Sequence, residues 1–190
     1  HSLTVSSHKI GGPKGAGALV LDKKFEIEPQ IAGGGHERGL RAGTENVAAI
    51  VGFAAACKLA AERLIEAGLR LRSLRDRLEQ GVSASGATVF AANSERLPNT
   101  LYFALPNIDG ETLVAQLDRA GFAVASGAAC SSANPESSHV LQAMGVDPYL
   151  ARGAVRISLG AGNTAEQVEY FLVTLQSTIK KLQRLTAMAV

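Results

Sequence analysis

The chain has 190 residues, a formal net charge of +2 and 46% hydrophobic residues, a composition typical of a globular protein with a sizeable core. A charge this close to balance gives no reason to expect a nucleic-acid or membrane-surface partner. The apolar stretch at residues 47–56 is too short and too rich in Ala and Gly to span a membrane. Two cysteines, Cys57 and Cys130, cannot form a disulfide framework, so we expect a cytoplasmic protein.

The first half of the chain predicts a pair of strands followed by a long helix. Short apolar runs at residues 2–6 and 16–21 flank turn residues, as in two neighbouring strands. After a Gly-rich loop at residues 29–44, apolar residues recur at steps of three and four from residue 50 to residue 78, which predicts a helix with one apolar stripe. Either a coiled coil or a helix packed inside a domain fits this stripe. The many glycines and alanines favour the packed helix.

The second half alternates short strands with helices. Strands are predicted from the apolar runs, at residues 88–91, 100–105, 122–125 and 154–159. Asp109 is the predicted N-cap of one helix, which Gly121 follows. Thr164 and Gln167 form the capping box of a final helix. This mixture predicts an α/β or α+β fold.

Another helix is predicted close to Cys130. Asn134 would be its N-cap, Pro135 its first residue and Gly145 its stop signal. Cys130 precedes this helix in a run of small residues, where a helix dipole favours a thiolate. Cys130 is therefore either a reactive thiol or an incidental loop cysteine. Cys57 lies on the apolar stripe and is predicted to be a core residue.

Lys9 stands at the end of the first predicted strand, beside a run of glycines. Most lysines are solvated surface charges, but these glycines would let a phosphate or a planar group approach the backbone. A partly desolvated lysine there could form a Schiff base.

Three further polar residues have two interpretations each. Arg156 lies within an apolar strand and needs an anionic partner, which is either a substrate carboxylate or a structural Asp or Glu. His36 and Arg38 lie in the Gly-rich loop, either as polar groups on a flexible hinge or as residues of an ordinary solvated loop. No metal site is predicted.

Four motifs occur in order: "SSHKIGGPKGAGALVL", "GGGHERGLRAGTEN", "SGAACSSANPESSHVLQAMG" and "AVRISLG". Together they resemble the NifS/IscS-like cysteine desulfurases of the class V aminotransferase group of pyridoxal-phosphate enzymes. The resemblance covers essentially the whole chain. The cysteine motif is similar to that of the members with a long mobile loop, rather than the members with an Arg-x-Gly-His-His-Cys motif.

The resemblance implies a role for six residues. Lys9 would carry pyridoxal phosphate covalently, and Ser6 and His8 would hold the phosphate of this cofactor. Thr44 would reach the phosphate bound by the other subunit of a homodimer. Arg156 would bind the substrate carboxylate, and Cys130 would be the catalytic thiol.

The resemblance also implies an activity and an architecture. L-cysteine would give up its sulfur to Cys130 as a persulfide and leave as L-alanine, and the persulfide would serve a sulfur-acceptor or scaffold protein, as in iron–sulfur cluster assembly. Residues 1–45 would end the large domain of a fold-type I enzyme, residues 46–80 would form the connecting helix, and residues 81–190 would form an α+β small domain.

Family members are about twice as long as this chain. Their N-terminal half supplies an Asp at the pyridine nitrogen, a His that stacks on the ring and a phosphate loop, and we find none of these here. We therefore expect the C-terminal half of a desulfurase, inactive alone. The alternatives are a selenocysteine lyase, another class V enzyme, or an inactive module for dimerisation or acceptor binding.

Overall fold

The computed structural model describes residues 1–127 and 138–188, with side chains described as far as residue 185. The chain forms two compact units, His1–Ile65 and Glu66–Val190. The boundary between them falls within the longest helix. The three-part domain division predicted from the sequence stays a prediction.

The first unit contains an antiparallel two-stranded sheet. Strand β1 (Ser2–Ser6) pairs with β2 (Gly17–Leu21), with Ser6 opposite Gly17. The predicted pair of strands is confirmed. Three large apolar side chains of this sheet are exposed to solvent by half or more: Leu3, Leu19 and Val20. Two strands alone are only marginally stable in water, so this sheet depends on packing against other structure.

Helix α1 (Val47–Ala84) carries the predicted apolar stripe, but the two ends of the stripe differ in burial. Near the C-terminal end, Leu74 and Leu78 are buried. At the N-terminal end Ile50 is 44% exposed, and in the middle of the helix Leu64 is 70% exposed. The burial of the C-terminal end in a globular core supports the packed helix rather than the coiled coil.

Cys57 is exposed, so the prediction that it is a core residue is wrong. Its neighbour Ala56 is buried instead, beneath the loop that contains Gly12. Periodicity identifies a face of a helix, but it does not say how much of that face meets another element.

The second unit is built on a four-stranded antiparallel sheet in the order β3-β4-β6-β5. Its strands are β3 (Thr88–Val89), β4 (Thr100–Ala104), β5 (Ala125–Ser126) and β6 (Ala154–Ser158). Its helices are α2 (Gly110–Arg119), α3 (His139–Ala143), α4 (Pro148–Arg152) and α5 (Ala165–Met188). The mixed α/β class predicted from the sequence is confirmed.

The two faces of this sheet have different cover. On one face, alternate residues of the central strands, such as Phe103 and Val155, are buried in the main core. They form one cluster there with residues of α1, α2 and α5. The other face places Ala104 and Ala154 in a smaller cluster with Leu141 of α3. Arg156 is on this second face and is exposed. The strand alternation therefore holds Arg156 outside the main core.

Several local predictions are confirmed by hydrogen bonds or backbone angles. The Asp109 carboxylate accepts from the Thr112 N–H at 2.9 Å. Thr164 and Gln167 form the capping box, at 3.2 and 3.3 Å. Gly121 follows α2 with a φ of +89°, a left-handed angle that favours glycine.

Two local predictions fare less well, and one short helix was missed. The strand predicted at residues 122–125 is observed at Ala125–Ser126, next to β6. The predicted helix start at Asn134 and Pro135 lies outside the described residues. The five-residue helix α4, which Asp147 caps, was not predicted, because one turn is too short to show a period.

In the part of the chain that the structure describes, every helix is too short or too polar to cross a bilayer.

We predict that Gly153→Ala lowers the free energy of unfolding by about 2 kcal/mol, because overpacking against rigid backbone cannot relax. A Cβ on Gly153, the residue before β6, would lie 2.7 Å from the Ile108 carbonyl oxygen and 3.1 Å from that of Leu105. Gly68→Ala is the matched control, since nothing lies within 4 Å of a Cβ there. It should stabilise helix α1 by about 1 kcal/mol. Urea unfolding measures both, and equal midpoints would contradict the packing described here.

Candidate functional site

The turn that carries Lys9 is held by backbone hydrogen bonds at both ends. Strand β1 runs directly into a 3-10 turn at Ser7–Ile10. The Ser7 N–H donates to the Ala16 carbonyl at 3.0 Å, and the Gly12 N–H donates back to the Ser7 carbonyl at 3.0 Å. Gly11 ends the turn with a φ of +85°, which explains a glycine at that point. The backbone therefore fixes where the side chains of the turn begin.

Ser7 fills the space beneath this turn. It is fully buried, and its Oγ has no hydrogen-bond partner among the described residues. A Cβ on Gly12 would lie 2.2 Å from this Oγ and 3.1 Å from the Ala56 Cβ. The glycine is thus needed for close packing of the loop on α1. The sequence analysis did not identify Ser7 as a packing residue. Its small side chain, between Ser6 and His8, was the feature that could have indicated this role.

Ser6, the last residue of β1, is exposed, and so are His8 and Lys9 of the turn that follows. The Ser6 side chain makes no capping hydrogen bond to the turn. Among the described residues, none forms an ion pair with Lys9. The turn therefore presents an amine, a hydroxyl and an imidazole close together, and this donor set suits an aldehyde that carries a phosphate. Lys9 is more exposed in this chain than the partly desolvated lysine we expected.

The Gly-rich loop folds onto itself. The Ala42 N–H donates to the Ile31 carbonyl at 3.0 Å, and the loop ends at the exposed Thr44. Glu37 and Arg38 have left-handed φ angles of +52° and +61°, which are uncommon outside glycine. Backbone in such regions is often found at functional sites.

His36 belongs to the same loop and is partly buried. Its Nδ1 is buried without a hydrogen-bond partner among the described residues. A Cβ on Gly34 would lie 3.2 Å from the His36 Cε1, so the ring packs closely on its own loop. His36 is therefore not simply a solvated loop residue, whereas Arg38 is exposed.

Arg156 lies in the middle of the sheet of the second unit. It is opposite Tyr102 on β4 and opposite Ala125 on β5. No carboxylate of the described residues forms an ion pair with it. The sequence left two interpretations of Arg156. The described residues offer no Asp or Glu as a structural partner, and binding of a substrate carboxylate stays a prediction.

The predicted site residues are distributed over both units. Ser6, His8, Lys9 and Thr44 belong to His1–Ile65, and Arg156 belongs to Glu66–Val190. Cys130 lies outside the described residues. Within residues 1–127 and 138–188, no group of three or more His, Cys, Asp or Glu side chains could hold a metal ion.

Comparison with known proteins finds relatives that are named cysteine desulfurases. A cysteine desulfurase of Bradyrhizobium diazoefficiens is 43% identical over 182 residues, which are 95% of this chain and 46% of that protein. The cysteine desulfurase IscS of Clostridium botulinum is 43% identical over 188 residues, which are 97% of this chain and 47% of that protein. The chain spans about half the length of the curated relatives it matches.

Solved structures agree in fold. A NifS-like protein superposes with a TM-score of 0.83 at 42% identity, over 94% of this chain and 46% of the other. A NifS-like protein from Rickettsia africae gives 0.84 at 35% identity, over 94% and 47%. The predicted resemblance is confirmed. Because the family model for class-V aminotransferases matches residues 2–171, the chain belongs to that family, and its relatives there include NifS- and IscS-like cysteine desulfurases.

Proposed function

We propose that this chain is the lysine- and thiol-bearing part of a cysteine desulfurase, which removes sulfur from L-cysteine and releases L-alanine. The observation that carries the proposal is the exposure of Ser6, at the end of β1, and of His8 and Lys9, on the turn that follows it. It occurs in a chain that is 41–45% identical to curated relatives named cysteine desulfurases.

Pyridoxal phosphate, when bound, supplies the electron sink that stabilises negative charge at the substrate Cα. The Lys9 amine would hold this cofactor covalently, and the Ser6 hydroxyl and the His8 imidazole would donate to its phosphate. Thr44 would donate to the phosphate bound by the second subunit of a homodimer. Once its amine is free, Lys9 would move a proton at the substrate Cα.

Arg156 would bind the carboxylate of the amino acid substrate. Its guanidinium is exposed on the sheet and is free of ion pairs with described carboxylates, so two of its N–H groups can face a carboxylate. A solved neighbour with 27% identity and a TM-score of 0.57 is the protein SspA in complex with cysteine. That complex supports an amino acid of this kind as the substrate.

Cys130 would take the sulfur. Its thiolate attacks the sulfur of the substrate, a new S–S bond forms, and the bond between the substrate Cβ and its sulfur breaks. The electron pair of the broken bond stays with Cβ, which takes up a proton as alanine forms. The resulting Cys130 persulfide would pass its sulfur to an acceptor or scaffold protein of the cytoplasm, as in iron–sulfur cluster assembly.

The exposed β1–β2 sheet supports a further part of the proposal. Leu3, Leu19 and Val20 are exposed on a sheet of two strands. The remaining length of the relatives would cover this sheet and would supply the ring-stacking His, the Asp at the pyridine nitrogen and the phosphate loop. The chain alone would bind the cofactor weakly, associate through the sheet and turn over no cysteine.

A second candidate function rests on the same exposed sheet. Without the part of its relatives that it does not cover, the chain would act only as a module for dimerisation or acceptor binding. Selenocysteine lyase is the nearest enzyme alternative, and it is separated from a desulfurase by the requirement of the desulfurase for the Cys130 thiol. The experiments that follow use the chain joined to the part of its relatives that the chain itself does not cover.

We expect borohydride reduction of the pyridoxal-phosphate-loaded protein to attach the pyridoxyl group to the Lys9 peptide, because Lys9 is exposed and forms no ion pair with any described residue. Mass spectrometry of the digested protein locates the label. Lys9→Ala should abolish the labelling, whereas Lys14→Ala, in the same loop, should not change it. Label found on Lys14 or Lys58 would refute the assignment.

Cys130→Ser should abolish sulfide release from cysteine while the cofactor absorbance is retained. Cys57→Ala is the control: since Cys57 is exposed, it should keep full activity and change the free energy of unfolding by less than about 0.5 kcal/mol. Sulfide assays and mass spectrometry of the trapped persulfide measure both outcomes. A persulfide on Cys57 would contradict this prediction, and activity without Cys130 would favour the lyase.

Arg156→Lys should raise the KM for cysteine about tenfold or more, because lysine cannot reproduce a bidentate contact with a carboxylate. A tenfold change corresponds to a loss of about 1.4 kcal/mol in binding free energy. The affinity for pyridoxal phosphate should change by less than about twofold, since the arginine is not assigned to the cofactor. Arg152→Lys, an exposed arginine of α4, is the matched control. An unchanged KM would show that Arg156 does not bind the substrate.

A further inference from the structure

Arg156 has small neighbours on its face of the sheet, with one exception. It is directly opposite Tyr102 in the β4–β6 ladder and directly opposite Ala125 in the β5–β6 ladder, so these three side chains share one face. The other neighbours on that face, two residues away along β4 or β6, are all small: Thr100, Ala104, Ala154 and Ser158. Among these ladder positions, Tyr102 is therefore the large side chain that borders Arg156.

The Tyr102 ring is held at two points. It is half-buried and meets the Phe90 ring edge-on, with centroids 5.1 Å apart. Its hydroxyl donates to the carbonyl oxygen of Gly127 at 3.1 Å. A Cβ on Gly127 would lie 2.8 Å from that hydroxyl, so a glycine lets the hydroxyl approach the backbone. Because Phe90 holds its side and Gly127 holds its tip, the tyrosine ring forms a fixed wall next to Arg156.

This wall carries no charge. Burial raises the pKa of Tyr102, so the phenol keeps its proton at neutral pH and continues to donate to Gly127. A neutral phenol leaves the Arg156 guanidinium its full positive charge. An Asp or Glu at the same position would instead pair with the guanidinium and compete with a bound carboxylate. Tyr102 thus restricts Arg156 without occupying it.

The orientation of the guanidinium matters because its N–H groups form a planar fork. A carboxylate meets two of them at once only when the fork faces it, and ordering a long side chain during binding costs free energy. On the β5 side of Arg156, the small Ala125 leaves room for the guanidinium. On the β4 side, the Tyr102 ring excludes rotamers that would fold over that strand. Part of the ordering is therefore present before a ligand binds.

We propose that Tyr102 is a positioning residue for substrate binding: its fixed ring limits the rotamers of Arg156 and holds the guanidinium in an orientation that receives the substrate carboxylate. This inference rests on the proposed function, in which Arg156 binds that carboxylate. It assigns the role to the ring of Tyr102 and not to its hydroxyl, because the one proton of the hydroxyl is already donated to Gly127.

The test compares Tyr102→Leu, which removes the ring, with Tyr102→Phe, which keeps it, in the chain joined to the part of its relatives that the chain itself does not cover. For Tyr102→Leu, we expect the KM for cysteine to rise about fivefold, the cost of ordering one rotamer-rich side chain. The kcat should stay within about twofold, because the carboxylate is bound equally before and during the reaction. Tyr102→Phe should keep the KM within about twofold of the wild type.

Phe103→Leu is the matched control for lost stability. Phe103 follows Tyr102 on β4, but its side chain is fully buried in the main core on the opposite face of the sheet. This substitution should lower the Tm at least as much as Tyr102→Leu does, because it leaves a cavity in the core. Its KM for cysteine should nevertheless stay within about twofold of the wild type, since the wall next to Arg156 is intact.

Nuclear magnetic resonance observes the Arg156 guanidinium without turnover. The Arg156 Nε–H signal is assigned by its loss in Arg156→Lys. In Tyr102→Leu, its order parameter should fall below about 0.6, the flexible range, whereas Tyr102→Phe and Phe103→Leu should leave it unchanged. When Arg156→Lys is already present, adding Tyr102→Leu should raise the KM by less than about twofold, because the ring acts through the arginine.

An unchanged KM in Tyr102→Leu would overturn the proposal, and so would an equal rise in Tyr102→Phe or Phe103→Leu. An Arg156 order parameter that Tyr102→Leu does not lower would overturn it as well. A wild-type protein that forms no alanine would instead refute the proposed function. In that case the order parameter would still decide whether Tyr102 orients the guanidinium.

Discussion

The antiparallel pairing of β4 with β6 is the constraint on which the second unit depends. Five residue pairs are in register, from Thr100 opposite Ser158 to Ala104 opposite Ala154. Because side chains alternate along a strand, this register sends Phe103 and Val155 into the main core. A slip by one residue would exchange the two faces and would place the Arg156 guanidinium in the apolar interior, at a large cost in desolvation.

The first unit depends on tight backbone packing more than on a large core. Its turn closes through the Ser7 and Gly12 backbone groups, and Gly52 and Ala56 of α1 leave room for the loop. A Cβ on Gly52 would lie 2.6 Å from the Pro13 ring. Small residues on the helix thus allow the loop to approach, and the turn keeps the His8 and Lys9 side chains at the surface.

Function and stability make opposite demands on these residues. A side chain that is to meet a cofactor or a substrate, as we propose for Lys9 and Arg156, must be reachable, and both residues are exposed in this chain. Their backbones are nevertheless fixed, one by the closed turn and the other by a central strand. Rigid backbone with free side-chain ends is the arrangement expected where geometry decides the chemistry.

The sequence by itself determined the elements whose signals are local. Caps at Asp109 and Thr164 and the alternation of β6 depend on neighbours a few residues apart, and the structure confirms them. Four motifs in order also sufficed to predict the family. The burial of a residue was different, because it depends on what packs against the chain. The same stripe predicted a buried Cys57 and a buried Leu78, and only the second is buried.

Only the tertiary structure showed which distant residues meet. Nothing local in the sequence places the Tyr102 hydroxyl on the Gly127 carbonyl, or packs Gly12 over Ser7, since those contacts follow from strand register and loop closure. Local patterns select the elements, whereas contacts between elements depend on how the whole chain folds, because many registers are compatible with any one alternating pattern.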